Sequence, residues 1–249
     1  MKKLNRLQKQ KGFTLVELAI VLVIIGLLIG GILKGQQLID NARVTAQMTQ
    51  FQGLQAAETS FQDAYAGLPG DITNASNRVP NSAMCATVGD GNGIVGSAVT
   101  SVPTGMGSSS GGAGAENLCF FAELSGAGYL AGISQPSTGP LNFGGNVPQA
   151  KLGAGLLVAD ITYSTNWSGL YTFDVASAGD PSTTLGANSM TPGQAGQIDR
   201  KMDDGNPITG SILGIGDAAA CMGGTTSGGS PIYKEANTTN DCDVAFKLN

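Results

Sequence analysis

The chain has 249 residues, enough for one ordinary soluble domain and a membrane segment but not for two large domains besides. It contains 38 glycines, only 12% charged residues and no histidine, which removes the usual imidazole base and zinc ligand and leaves an Asp, Glu, Lys or Ser mechanism as the remaining enzyme chemistry. The net charge of −5 hides an asymmetry: Lys2, Lys3, Arg6, Lys9 and Lys11 precede the first acid, so after residue 12 there are 8 basic against 18 acidic residues, a net of −10, and an acidic body is a poor partner for nucleic acid.

Behind the basic segment 1–12, residues 13–33 read FTLVELAIVLVIIGLLIGGIL, twenty-one residues with a single charge. At about 1.5 Å per residue a helix of this length spans the hydrocarbon core. A removable secretory signal has a shorter apolar region and a small-residue cleavage site after it, whereas Leu33 is followed by KGQQ. The basic cluster predicts a cytoplasmic N-terminus and export of everything beyond Lys34. Glu17 does not suit a plain anchor, because a carboxylate in the bilayer is costly and usually functional. It either snorkels from the helix start to the headgroups or meets a specific partner.

The segment KGFTLVEL, with Gly12 before Phe13 and Glu17 fifth from Phe13, resembles the processing region of type IV prepilins and type II secretion pseudopilins. A basic leader, a small residue, an aromatic start, a glutamate at the fifth position and an unbroken apolar helix occur in the family's order. The resemblance implies cleavage by a prepilin peptidase between Gly12 and Phe13, N-methylation of Phe13, and a mature chain that keeps its helix. It implies a protein of the bacterial inner membrane, single-pass, with a periplasmic head that later reaches a filament or the cell surface. Its partners would be membrane lipid, the inner-membrane assembly machinery, and further copies of itself and other pilins. In a filament core a buried carboxylate is tolerated only when paired, and the Phe13 amine of a neighbouring subunit is the partner that cleavage would create for Glu17.

From residue 34 the apolar positions Phe51, Leu54, Ala57, Phe61, Ala64 and Tyr65 keep helical spacing, which predicts an amphipathic continuation over 34–66 that ends at Gly67, Leu68, Pro69 and Gly70. Gly26, Gly30 and Gly31 either let neighbouring helices approach or loosen this one. The exported head is assigned to 67–249. In it, turn-rich stretches 104–116 and 177–190 separate predicted strands at 156–163, 169–175, 208–215 and 243–248. Helices are predicted at 115–124 and at 191–202, the latter with Thr191 as N-cap and Pro192 at the first helical position. The fold class is α+β, a long helix packed on an antiparallel sheet, which the pilin resemblance also implies.

Cys85, Cys119, Cys221 and Cys242 lack zinc-site spacing and face an oxidising compartment, so disulfides are expected. Three pairings are possible; loop closure favours Cys85 with Cys119 and Cys221 with Cys242. The second bridge resembles the C-terminal disulfide loop of many pilins. No cofactor is required. Two acidic turns, around Asp90 and Asn92 and around Asp203 and Asp204, suit either calcium or ordinary turn chemistry. The first opens like an EF-hand loop but has Ser101 where the last acidic ligand belongs. Some secretion pseudopilins do hold calcium in the head. The runs LPGD at 68–71 and IDRKMDDGNP at 198–207 are read as segments that turn the chain and tie it to the sheet.

Three functions are compatible with these features. The first is a structural subunit, major or minor, of a pilus, a secretion pseudopilus or a DNA-uptake filament. The second is a rare tip pilin whose loops bind a surface, DNA or a secreted substrate. The third, an exported hydrolase, has neither a G-x-S-x-G elbow nor a histidine to serve it.

Overall fold

A computed structural model describes residues 12–86, 88–96, 114–133, 142–153, 155–164, 167–175, 189–216, 220–223 and 231–249. The side chains of 114–115, 161–167 and 175 are not described, and residues 1–11 of the expected leader, most of the 104–116 and 177–190 stretches and Ser101 lie outside the described residues. The chain divides into two compact units, Met1–Ala42 and Arg43–Asn249.

Helix α1 runs from Leu15 to Tyr65, 51 residues without interruption. Its portion in the first unit is apolar and unburied: Phe13, Leu15, Val16 and the aliphatic residues from Leu18 to Leu33 are all exposed, as are Leu38 and Ile39. This stretch is long and apolar enough to cross a membrane.

In the second unit α1 buries Val44, Gln47, Phe51, Leu54, Ala57, Glu58 and Phe61, one face at steps of three and four residues. Phe51 stacks on Phe246, ring centres 5.5 Å apart. Ala64, expected on this stripe, is exposed, because Tyr65 takes the next inward position and its ring meets Phe61 at 4.6 Å. The helix stops as expected before Gly67: Ala66 adopts a left-handed φ of 52° while its N–H still bonds the Gln62 carbonyl, and the Arg78 guanidinium donates to the carbonyl of Tyr65.

A short helix α2 (Ala75–Arg78) and a 3₁₀ turn (Ala83–Cys85) follow, neither of which the apolar pattern signals, since each is a single turn. Helix α3 (Gly114–Gly126) buries Cys119, Phe120, Phe121 and Leu124, and the Cys85–Cys119 disulfide ties it to the 3₁₀ turn.

The main sheet is antiparallel, in the order β1 (Gly155–Ser164), β2 (Trp167–Val175), β6 (Cys242–Lys247), β3 (Ile212–Gly216). β1 and β2 form a hairpin with Ala159 opposite Tyr171, and the last strand slots between β2 and β3, pairing Phe173 with Ala245 and Leu213 with Ala245. Its central place explains its burial from Cys242 to Phe246. The strand expected at 208–215 begins only at Ile212. Asn206 turns the chain first, its side-chain oxygen taking the Ile208 N–H and its carbonyl the Thr209 N–H, and Asp203 then accepts from the amides of Ser211 and Ile212.

Helix α4 (Pro192–Met202) opens with the expected cap: Thr191 accepts from Gln194 N–H while Gln194 accepts from Thr191 N–H. A two-stranded ladder, β4 (Met222–Gly223) with β5 (Ile232–Tyr233), is too short for an alternating pattern to reveal. The Cys221–Cys242 disulfide joins the residue preceding β4 to the start of β6, Cα atoms 5.0 Å apart.

Candidate functional site

Gly12, Phe13 and Glu17, the residues expected to carry processing and assembly, sit where α1 begins. Gly12, Phe13 and Thr14 precede the helix in an extended, exposed stretch, Phe13 being 84% exposed. Thr14 is the N-cap and Glu17 the third helical residue. Glu17 N–H donates to Thr14 Oγ1 at 3.2 Å, while Thr14 N–H and its hydroxyl donate to Glu17 Oε2 at 2.9 and 2.8 Å. This is a reciprocal capping box: of two helix-start amides that a membrane could not satisfy, that of Thr14 is taken by the Glu17 carboxylate and that of Glu17 by the Thr14 hydroxyl. The negative carboxylate also lies at the positive end of the helix dipole. The T-x-x-E spacing of Thr14 and Glu17 is the sequence signal of this pairing. Around the box, Phe13, Leu18, Ile20 and Val21 line an apolar groove with Glu17 at its polar end.

The prokaryotic N-terminal methylation motif matches residues 7–33, covering the leader end, the Gly12–Phe13 bond, the capping box and the apolar run. This chain carries the type IV pilin and pseudopilin signature. No curated protein and no solved structure matches the chain. The signature marks a pilin-like or pseudopilin precursor and points to a structural protein rather than an enzyme. It implies processing by prepilin peptidase and assembly with other pilins, and the apolar helix fits a membrane-anchored pilin. The long helix followed by an antiparallel sheet is the pilin-like layout.

In the pilin-like head, each acidic turn is organised in part by an aspartate outside the expected candidates, Asp71 in the first and Asp199 in the second. Asp71, of the LPGD run, is buried and accepts Gly91 N–H at 2.8 Å and Asn92 N–H at 3.1 Å on one oxygen and Gly93 N–H at 2.8 Å on the other. Asp90 accepts from the amide and the side-chain amide of Asn92, and Asn92 Oδ1 accepts from Ile94 N–H. Gly70 precedes at φ 86°, where an added Cβ would meet the Glu116 carbonyl oxygen at 2.4 Å, so the run admits only glycine there. Asp71, Asp90 and Glu116 bring one carboxylate oxygen each within 4.8 Å of the others.

The second turn is built the same way. Asp199 takes Gly205 N–H and the Tyr233 hydroxyl, each at 2.9 Å. Asp203 holds Ser211 and Ile212, and Asp204 accepts from Asn206 N–H and the Thr209 hydroxyl. Asp199, Asp203 and Asp204 form the other close carboxylate group. Both groups are chemically suited to a hard divalent cation, and both already serve as acceptors for their own turns. Burial pushes the Asp199 carboxyl up to about 6, against hydrogen bonds from Tyr233 and Gly205 that hold it down. Burial likewise raises Glu116 and Glu123 to about 7; Glu123 receives Gly70 N–H at 2.7 Å.

Proposed function

We propose that the chain is a filament subunit, processed and polymerised through α1. Prepilin peptidase removes residues 1–12, the new Phe13 amine is methylated, and the apolar part of α1 holds the subunit in the inner membrane with the head in the periplasm. Subunits then leave the membrane side by side, and the Phe13 amine of one meets the Glu17 carboxylate of its neighbour. The observation that carries this reading is the N-terminal part of α1: a continuous helix whose large aliphatic residues from Leu15 to Leu33 are exposed among the described residues, opened by one acid already placed at its end. Such a surface demands lipid before assembly and other helices after it.

The capping box gives Glu17 hydrogen-bond donors while the subunit waits in the membrane and orients its carboxylate beside the residue that becomes the N-terminus. In that role the pair sets axial register more than it adds stability. The test is intact mass and N-terminal sequencing of the membrane-purified protein, with and without a functional prepilin peptidase, beside Glu17→Ala in a filament shearing assay. Processing at Phe13 with a methyl-sized increment, and loss of sheared filaments in the variant, is the expected result. A chain that still begins at Met1 in cells with active peptidase overturns the proposal.

A further inference from the structure

Where α1 meets the sheet, three side chains form a polar cluster inside an otherwise apolar core. Gln47 of α1 donates from Nε2 to Asp174 Oδ1 at 3.0 Å, and its Oε1 accepts the amides of Lys151 and Leu152 at 2.7 and 3.2 Å. One side chain thus ties helix, strand β2 and the 142–153 segment together. Asp174 is 1% exposed, and Asp243 on β6 is fully buried. Asp243 Oδ1 accepts the amide and hydroxyl of Ser189, while Oδ2 of each aspartate is buried with no hydrogen-bond partner.

Among the described residues, the groups around this cluster supply no countercharge. The charged group that acts on Asp174 is Asp243, another acid; α1 presents neutral Gln47 flanked by Val44 and Phe51; and the 142–153 segment presents main-chain amides, the Lys151 side chain being exposed. Asp243 in turn is held by Ser189. Two ionised carboxylates here would be desolvated, mutually repelling and each short of a donor.

We propose that Gln47, Asp174 and Asp243 form a proton-dependent latch between the second half of α1 and the sheet, closed while Asp174 carries a proton and loosened when it ionises. Burial and the neighbouring Asp243 raise Asp174 well above the ordinary carboxylate range, and burial raises Asp243 to about 7. The sign follows: the closed state binds a proton that the open state releases, so opening grows with pH from the ordinary aspartate range up to the buried value and then levels off. The proposal rests on this cluster alone and is independent of processing at Phe13.

The test is backbone hydrogen exchange of the full-length protein in detergent micelles, read at the Lys151 and Leu152 amides and corrected for intrinsic exchange. Opening at these amides is expected to rise about tenfold per pH unit between the ordinary carboxylate range and neutrality. Asp174→Asn, which keeps the Gln47 bond to Oδ1 but cannot ionise, should lower that slope and leave only the part that Asp243 contributes. An unchanged slope in the variant, or no pH dependence in the unsubstituted protein, overturns the latch. Should the variant fail to fold, aspartate carboxyl-carbon signals of the unsubstituted protein decide: one aspartate still protonated at neutral pH supports the latch, and complete ionisation of all aspartates there refutes it.

Discussion

Asp71→Ala is the substitution whose effect can be worked most directly from the structure. The carboxylate draws three consecutive amides, Gly91, Asn92 and Gly93, onto a residue six positions beyond the end of α1, and so fixes the 90–93 turn against the rest of the head. Hydrogen bonds to a charged group contribute about 1.5–3 kcal/mol each when both partners are buried. Here the acceptor is buried but Gly91, Asn92 and Gly93 are exposed, so freed amides regain water and about 1 kcal/mol per bond is the better figure. The loss is then about 3 kcal/mol, or about 6–12 °C in thermal midpoint for a domain of this size. Asp71→Asn keeps one acceptor but turns an amide group toward N–H donors, and should fall by a similar amount. The assay is a thermal melt of the detergent-solubilised full-length protein, followed by circular dichroism. A shift below about 2 °C for both variants would show that the turn holds itself without Asp71, and the reasoning from LPGD to head architecture would fail.

Phe51→Ala empties the contact with Phe246 at the centre of the helix–sheet interface and should cost about 3–5 kcal/mol, read as a lower midpoint in denaturant. Ala66→Gly relieves the left-handed φ of 52° after α1 and should stabilise by about 1 kcal/mol in the same titration. Burial holds Glu58, Glu116 and Glu123 near 7, against 4.5 for the free side chain, so the folded head binds more protons than the unfolded chain across that window; its thermal midpoint should drop as pH rises through it and stay level above. Because the Asp90 and Asp204 oxygens already accept from their own turns, millimolar calcium should leave the melt unchanged, and a midpoint raised by several degrees would instead show that a cation displaces those hydrogen bonds.

The N-terminal helix was legible from sequence because its signals are local and redundant: an apolar run, a helical stripe through Phe51, Leu54 and Phe61, and a glycine–proline stop. Helix α4 was legible for the same reason, through Thr191 and Pro192. What escaped were interactions between distant positions. Gln47 and Glu58 look like ordinary solvent-facing residues on an amphipathic helix, yet both are buried, Gln47 because Asp174 lies 127 positions away and meets it. Asp71 reads as part of a turn and acts as the acceptor for another turn twenty residues on. The start of β3 was misplaced because Ile208 is apolar and β-branched, while the side chains of Asn206 and Asp203 control its backbone. At the candidate site the capping role of Thr14 escaped, although its spacing from Glu17 states it.

The disulfide between Cys85 and Cys119 joins residues separated by 34 positions and is anchored on both sides, by the 3₁₀ turn and by α3. Just inside it, Gly96 N–H donates to the Glu116 carboxylate at 2.8 Å, a second tie between positions that are 20 residues apart. Two such ties make the stability of the head insensitive to the number of residues between them: doubling that number adds only about 0.6 kcal/mol of closure entropy. Residues inserted between Gly96 and Gly114 should therefore cost the head little, whereas loss of either tie should cost it more.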